Sequence, residues 1–177
     1  METPRTTPVD WKVTRTDFWE IRSALNPAGG SFVEFTSRIG VSEWPLIHMT
    51  FGRNPETGRL KPAKGIIALG RIAFGVFPVG QLAVGIFPVG QAAFGLVFAI
   101  GQAALAVTAV GQLAIAYHLA VGQLAVAKTA VGQMAFGKYC VAQVAVGEHI
   151  YTRKVKDPEA LRRLREALPL LGRFTAG

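Results

Sequence analysis

Between Ala68 and Ala145 one small residue, followed by a large apolar one and then by Gly or Ala, returns every five positions. The step lengthens to six only from Ala93 to Ala99 and from Ala114 to Ala120. Pro78, Pro88 and Cys140 take the small position in three of the units. Every second unit is preceded by a Gly-Gln pair or its equivalent, so the true repeat is about ten residues and occurs eight times. In an extended chain alternate side chains face opposite sides. Pairs such as Leu82 and Val84, Leu124 and Val126, or Met134 and Phe136 therefore share one face, and the intervening Ala has the other. Val, Ile and Phe after the Ala favour strand. The Gly-Gln pairs read as two-residue hairpin turns, with Gly supplying a positive φ. The pattern predicts very short strands joined by tight turns.

Three architectures compete for such a pattern. Transmembrane helices fit poorly, because a residue every five positions advances about 140° around a helix and would spread Gly and Gln over the whole lipid-facing surface. A membrane-spanning barrel needs strands of about 9 to 11 residues, longer than these units. A solenoid gains support from the two six-residue steps, which lie 21 positions apart and would stack on one face. Its narrow interior would then have to accept two large residues, for instance Phe77 with Val79 or Leu119 with Val121. The expected fold is therefore all-β, a closed shallow barrel of about eight short hairpins over residues 63–150, which also removes edge strands. A segment over 1–62 packs on the barrel, and 151–177 forms a C-terminal amphipathic helix.

The Ala-x-Gly units spaced by Gly-Gln, such as Gly80-Gln-Leu-Ala-Val-Gly85, and the leading segment Ala63-Lys-Gly-Ile-Ile-Ala-Leu-Gly70 resemble the β-flower family. The chain departs from that style in placing Gln where a second Gly is frequent. The resemblance implies a shallow symmetric barrel whose hairpins radiate like petals, and a non-enzymatic module. It also implies a distant fold analogy to lipid-associated barrels of the Tubby type.

In the flanks, Phe18, Ile21 and Leu25 at helical spacing, with Asp17 and Glu20 near the start, predict a short helix over Thr16–Asn26. Residues Asn26 to Gly30 stop it. Ser31–Ser37 and Pro45–Phe51 read as strands and Arg53–Gly58 as a turn. In the tail, Asp157 caps a helix, Pro158 takes its first position, and Glu159 meets its positive end. Leu161, Leu164, Leu168 and Leu171 form its apolar stripe opposite Arg162, Arg163 and Arg165, and Pro169 bends or ends it. Such a helix lies on an anionic membrane or docks over one barrel opening, and its narrow stripe favours docking.

Half of the 177 residues are hydrophobic and 17% are charged, which excludes disorder, and a single Cys excludes a disulfide scaffold. The net charge of +8 is carried by the margins, since Ile72 to Ala127 holds no Asp, Glu, Lys or Arg. No secretory signal opens the chain, so a cytoplasmic, membrane-associated location is expected. Nucleic acid is disfavoured as a partner, because the positive charge is not interleaved with aromatics on one element.

Little chemistry is encoded. Gly52-Arg-Asn-Pro-Glu-Thr-Gly-Arg59 lacks the Lys-Ser/Thr of a phosphate loop and reads as a hairpin turn. His48, His118, His149 and Cys140 match no metal-ligand spacing, and Cys140 stands at an Ala position of the repeat. No catalytic residue, metal or cofactor is assigned. Two candidate surfaces remain. Arg71, Gln81, Gln91, Gln102, Gln112, Gln123, Gln133 and Gln143 would line one polar ring, open to an anionic or polar ligand or satisfying backbone groups at the turns. Phe77, Ile86, Phe87, Leu96, Val97 and Phe98 would form an apolar patch at the hairpin tips, facing a partner or covered by the chain's own ends. The expected function is a non-catalytic binding or scaffolding module that meets a membrane surface, a lipid, a protein partner or a second copy through those tips. The alternative is an integral membrane protein with Gly-rich transmembrane segments.

Overall fold

The structure, a computed structural model, describes residues 9–25 and 29–168 and divides into two compact units, 1–81 and 82–177. In the first unit β1 (Lys12–Arg15), β2 (Trp19–Leu25), β3 (Ser31–Ser37) and β6 (Ile47–Phe51) pair antiparallel in that order. A two-residue ribbon of β4 (Gly40–Val41) with β5 (Trp44–Pro45) stands beside them. β6 then pairs in parallel with β7 (Ala63–Gly85), Ile47 opposite Ile67 and His48 opposite Ala68. The helix expected over Thr16–Asn26 is not formed. Trp19 to Leu25 instead pairs residue for residue with Ser37 to Ser31, and this ladder overrides the weak helical spacing. The stop at Asn26–Gly30 lies partly outside the described residues.

The second unit is a parallel β-solenoid. β8 (Val89–Gly95), β9 (Phe98–Val126), β10 (Thr129–Phe136), β11 (Tyr139–Val146) and β12 (His149–Tyr151) follow one another side by side. All their pairings are parallel. Thr129 faces both Leu119 and Tyr139, so each coil of ten residues stacks on the one before it. Val89 faces Ile100, because one extra residue is accommodated between them. The closed barrel of hairpins is thereby overturned: successive strands run the same way, and no petals exist.

The reason is the identity of the inward residue. Ala93, Ala104, Ala114, Ala125 and Ala135 form one buried column, and Pro88, Ala99, Ala109, Ala120, Ala130 and Cys140 the other, none more than 3% exposed. Each coil therefore sends only two small side chains inward, and the large residues that would not fit a narrow tube stand outside it. The repeat glycines have a different use from the expected one. Positive φ among glycines is confined to Gly29, Gly30, Gly52 and Gly58 in the described residues, all outside the repeat. Gly132 is required because a Cβ there would overlap the carbonyl oxygen of Gly122 in the preceding coil. Most of 63–146 is strand, and among the described residues no helix is long and apolar enough to cross a membrane.

The tail helix forms as α1 (Pro158–Ala167). The Asp157 carboxylate accepts from the Glu159 N–H at 2.9 Å, and Pro158 stands in the first turn. It lies against β10, β11 and β12 rather than over a barrel opening. Ala160 is fully buried, the Arg163 guanidinium sits 5.3 Å from the centre of the Tyr139 ring, and Asp157 meets His149 Nδ1 at 2.8 Å. Pro169 and Leu171 lie outside the described residues.

Candidate binding surface

Since the alanines point inward, each coil of the second unit presents two outer faces. One carries the residues on either side of the Pro88–Cys140 column, the other those on either side of the Ala93–Ala135 column. Toward the end of the unit α1 lies against β10, β11 and β12 on part of the first face, where Thr129 and Tyr139 are buried and His149 stacks on Tyr139 at 5.1 Å. Among the described residues the second face has no such cover. Phe94, Leu105, Leu113, Ile115, Val126, Met134, Phe136, Val144 and Val146 stand along it, each between 36% and 58% exposed. Large apolar residues are thus repeated from coil to coil on a regular surface, with no charged side chain between Leu82 and Ala127.

The sequence-derived apolar patch is partly assembled. Ile86, Phe87, Leu96, Val97 and Phe98 come together at one corner of consecutive coils, where the Leu96 N–H donates to Gly85 and the Val97 N–H to Ile86. Leu96 is 71% exposed, whereas Ile86 and Phe98 are half-buried. These are coil corners, not hairpin tips. Phe77 belongs to the first unit and is also exposed. Further along the same corner stand Tyr117, Lys128, Lys138 and Glu148, the last two paired at 3.1 Å.

A ring of amides does not close. In the second unit Gln91, Gln102, Gln112, Gln123, Gln133 and Gln143 succeed one another from coil to coil as an open, exposed column beside the glycine corner. Gln81 and Arg71, in the first unit, are exposed as well. No Gln side chain hydrogen-bonds to another described residue.

The first unit contains a polar cluster that sequence reasoning missed. Glu34 and His48 are buried side by side, His48 Nε2 lying 2.9 Å from Glu34 Oε1, and Lys61 Nζ reaches the same carboxylate at 2.6 Å. The Lys64 N–H donates to His48 Nδ1 at 2.8 Å, so Nδ1 is the acceptor and Nε2 carries the hydrogen shared with Glu34. Burial by itself would raise the Glu34 pKa. The hydrogen bonds from His48 and Lys61, with the charge of Lys61, outweigh it and lower the value to about 2. Both imidazole nitrogens and both carboxylate oxygens are occupied, which leaves no open position for a substrate. Because His48 pairs with Ala68, the cluster lies next to the buried alanines of the first unit, Ala63, Ala68 and Ala73. The available signal was the alternation in Phe32-Val33-Glu34, which puts an acid on the same face as a fully buried Phe.

Cys140 stands in an inward column, and burial raises its thiol pKa, so it is inert packing. His149 is held by Asp157 and His118 is exposed. Among the described residues no three His, Cys, Asp or Glu side chains are placed to hold a metal ion. The chain matches no protein-family model, no curated protein and no solved structure, so nothing identifies it as a β-flower protein, and the barrel which that resemblance implied is not the fold it has.

Proposed function

We propose that the chain is a non-catalytic binding module that rests on a lipid membrane through the uncovered apolar face of its second unit. One observation carries the reading: the exposed ladder running from Phe94 to Val146. Monomeric soluble proteins seldom expose contiguous apolar surface on this scale, and where they do it marks an interaction site. Lipid is favoured over a protein partner because a protein interface carries about one hydrogen bond per 100–200 Å², whereas the ladder itself presents apolar side chains and the Gln column stands beside it at the coil corner. Lys128, Lys138, Arg153, Lys154 and Lys156 in the following coils add attraction to anionic headgroups.

Cosedimentation with phospholipid vesicles tests the reading. Replacing Leu105, Ile115 and Phe136 by Ser should abolish vesicle binding while the strand signal in circular dichroism is retained. The same three changes at Phe77, Phe87 and Phe98 should weaken it less. Unchanged binding in the first variant overturns the reading. Concentration-dependent dimerisation without vesicle binding would assign the face to a second copy of the chain instead.

A further inference from the structure

In the second unit each coil is paired with the next until the last, which is only half covered. β12 pairs with Tyr139–Val141 of β11 alone, so among the described residues Val144–Val146 has no strand on its far side. Val144 and Val146 are each 58% exposed, and Ala145 is half-buried, whereas Ala104, Ala114, Ala125 and Ala135 before it in the column are no more than 3% exposed. The chain leaves through the turn Thr152–Val155, where the Thr152 N–H donates to the Val155 carbonyl at 2.7 Å, and returns as an antiparallel bridge of Lys156 with Tyr151.

The uncovered segment has backbone groups to offer. Ala127 and Gly137 donate their N–H groups to the carbonyls of Phe136 and Val146 in the following coil, both at 3.1 Å. Hydrogen-bonding direction alternates along a strand, so Ala125 and Ala135, two residues earlier, also address the following coil. Ala145 has the same place in the repeat, but no coil follows it. An exposed edge of this kind is a template for one more strand.

Beside the edge the chemistry is cationic. Gln143, where the open segment begins, lines a groove of ≈ 580 Å³ together with Arg153 and Lys156. Neither these two cations nor Lys154 has an ion-pair partner among the described residues, whereas Lys138, Arg162 and Arg163 are paired with Glu148, Glu159 and Glu166. A second copy joined edge to edge would bring no unengaged acid to them, since Glu148, beyond the other end of the segment, is held by Lys138. An acidic strand would neutralise them.

We propose that the open edge binds an extended acidic peptide segment of a partner protein, which adds one parallel strand to Val144–Val146 and sets its carboxylates against Arg153 and Lys156. Its residue beside Ala145 is small, because that position continues the inward column. The contact is made by backbone groups at the end of the solenoid, so it is independent of the membrane reading.

The probe is the blocked peptide Glu-Glu-Val-Ala-Val-Thr, titrated calorimetrically into the full chain without vesicles at about 0.15 M salt, where charges beyond about 8 Å are screened. Methylating the two Val nitrogens, which face the edge in a parallel register, should weaken binding about twenty-five-fold, roughly a factor of five per hydrogen bond, with no change of charge. Ala145→Pro removes the outward N–H and should weaken it at least five-fold. Pro88 shows that the small position of the repeat accepts proline, so strand circular dichroism should be retained. Arg153→Gln with Lys156→Gln should cost about five-fold for two exposed ion pairs, and should leave the weaker binding of Gln-Gln-Val-Ala-Val-Thr unchanged. Lys12→Gln with Lys128→Gln, equal in charge, should change neither.

Undiminished binding of the methylated peptide, or of either peptide to Ala145→Pro, overturns strand addition. A loss in the Lys12 and Lys128 variant equal to that in the Arg153 and Lys156 variant overturns the acidic recognition, as does equal affinity for the two peptides. A wild-type chain that binds neither overturns the site, and a wild-type dimer dissociated by Ala145→Pro would assign the edge to a second copy instead.

Discussion

A solenoid with alanine inside and large residues outside inverts the usual response to core mutation, and Ala125 with Val126 makes the inversion measurable. Ala125 is fully buried; along its column stand Ala114 and Ala135, and the neighbouring inward column contributes Ala120 and Ala130. Ala125→Leu adds three carbons to a space with no room for them, and should cost about 3 kcal/mol, the upper part of the overpacking range. Stacking spreads the damage, since each coil is held chiefly by its two neighbours. Val126 is 38% exposed. Val126→Ala removes two carbons worth about 0.8 kcal/mol each when wholly buried, so about 1 kcal/mol is lost here. Guanidinium unfolding followed by circular dichroism gives both values from the shift in midpoint at constant slope. An ordinary core would show the reverse order, a costly Val126→Ala and a milder Ala125→Leu. Observing that order would refute the inward placement of the alanines and with it the exposed face on which the functional reading depends.

Three further outcomes follow from other parts of the structure. Glu34 is ordinarily protonated near 4.5 when unfolded and near 2 when folded, so its stabilisation is complete above pH 4.5 and is lost as pH falls toward 2. Acid titration of stability should show a loss of about 3 kcal/mol across that window, and Glu34→Gln should remove the pH dependence; a flat wild-type profile would deny the buried ion pair. Gly132→Ala should destabilise by more than about 2 kcal/mol because the backbone of two coils must separate. Gly58→Ala, strained only by its φ of 66° with open space around it, should cost about 1 kcal/mol, and equal thermal shifts for the two would contradict the stacking. Cys140 should resist maleimide in the native chain and react faster in Asp157→Ala, which removes the helix cap and the His149 contact; mass spectrometry of the labelled chain follows the rate, and rapid native labelling would contradict its burial.

Much of the local structure was legible. The ten-residue period, the strand character of the repeat, Ser31–Ser37 and the Asp157 cap follow from alternation, β-branching and turn chemistry, all of them local. Parity was not. Alternation shows that Leu124 and Val126 share a face opposite Ala125, but a strand pattern does not state which face is inside, and reversing that choice turns every side chain over. The general tendency of large apolar residues to be buried selects the wrong face here. The decisive hint was the pair of six-residue steps. Their extra residues fall near Val97 and His118, at the same corner two coils apart, a placement that stacked coils explain. The Glu34–His48–Lys61 cluster was out of reach for another reason, since its members are joined only by the pairing of β3 with β6 and by the path of the chain into β7.

The inversion also changes what the composition means. A chain that is 50% hydrophobic suggests a large core, yet a ten-residue coil has room for two small inward side chains and must put its remaining apolar residues outside. The hydrophobic content of the repeat is therefore mostly surface. Natural selection against aggregation disfavours such a surface unless something covers it. Closing each coil onto the next removes lateral strand edges and with them the ordinary route to edge-to-edge aggregation, while doing nothing to hide the faces. The ladder from Phe94 to Val146 is the surface on which the proposed membrane contact rests. The absence of charge from that ladder, followed by cations in the later coils, is the pattern a bilayer with an anionic surface would match.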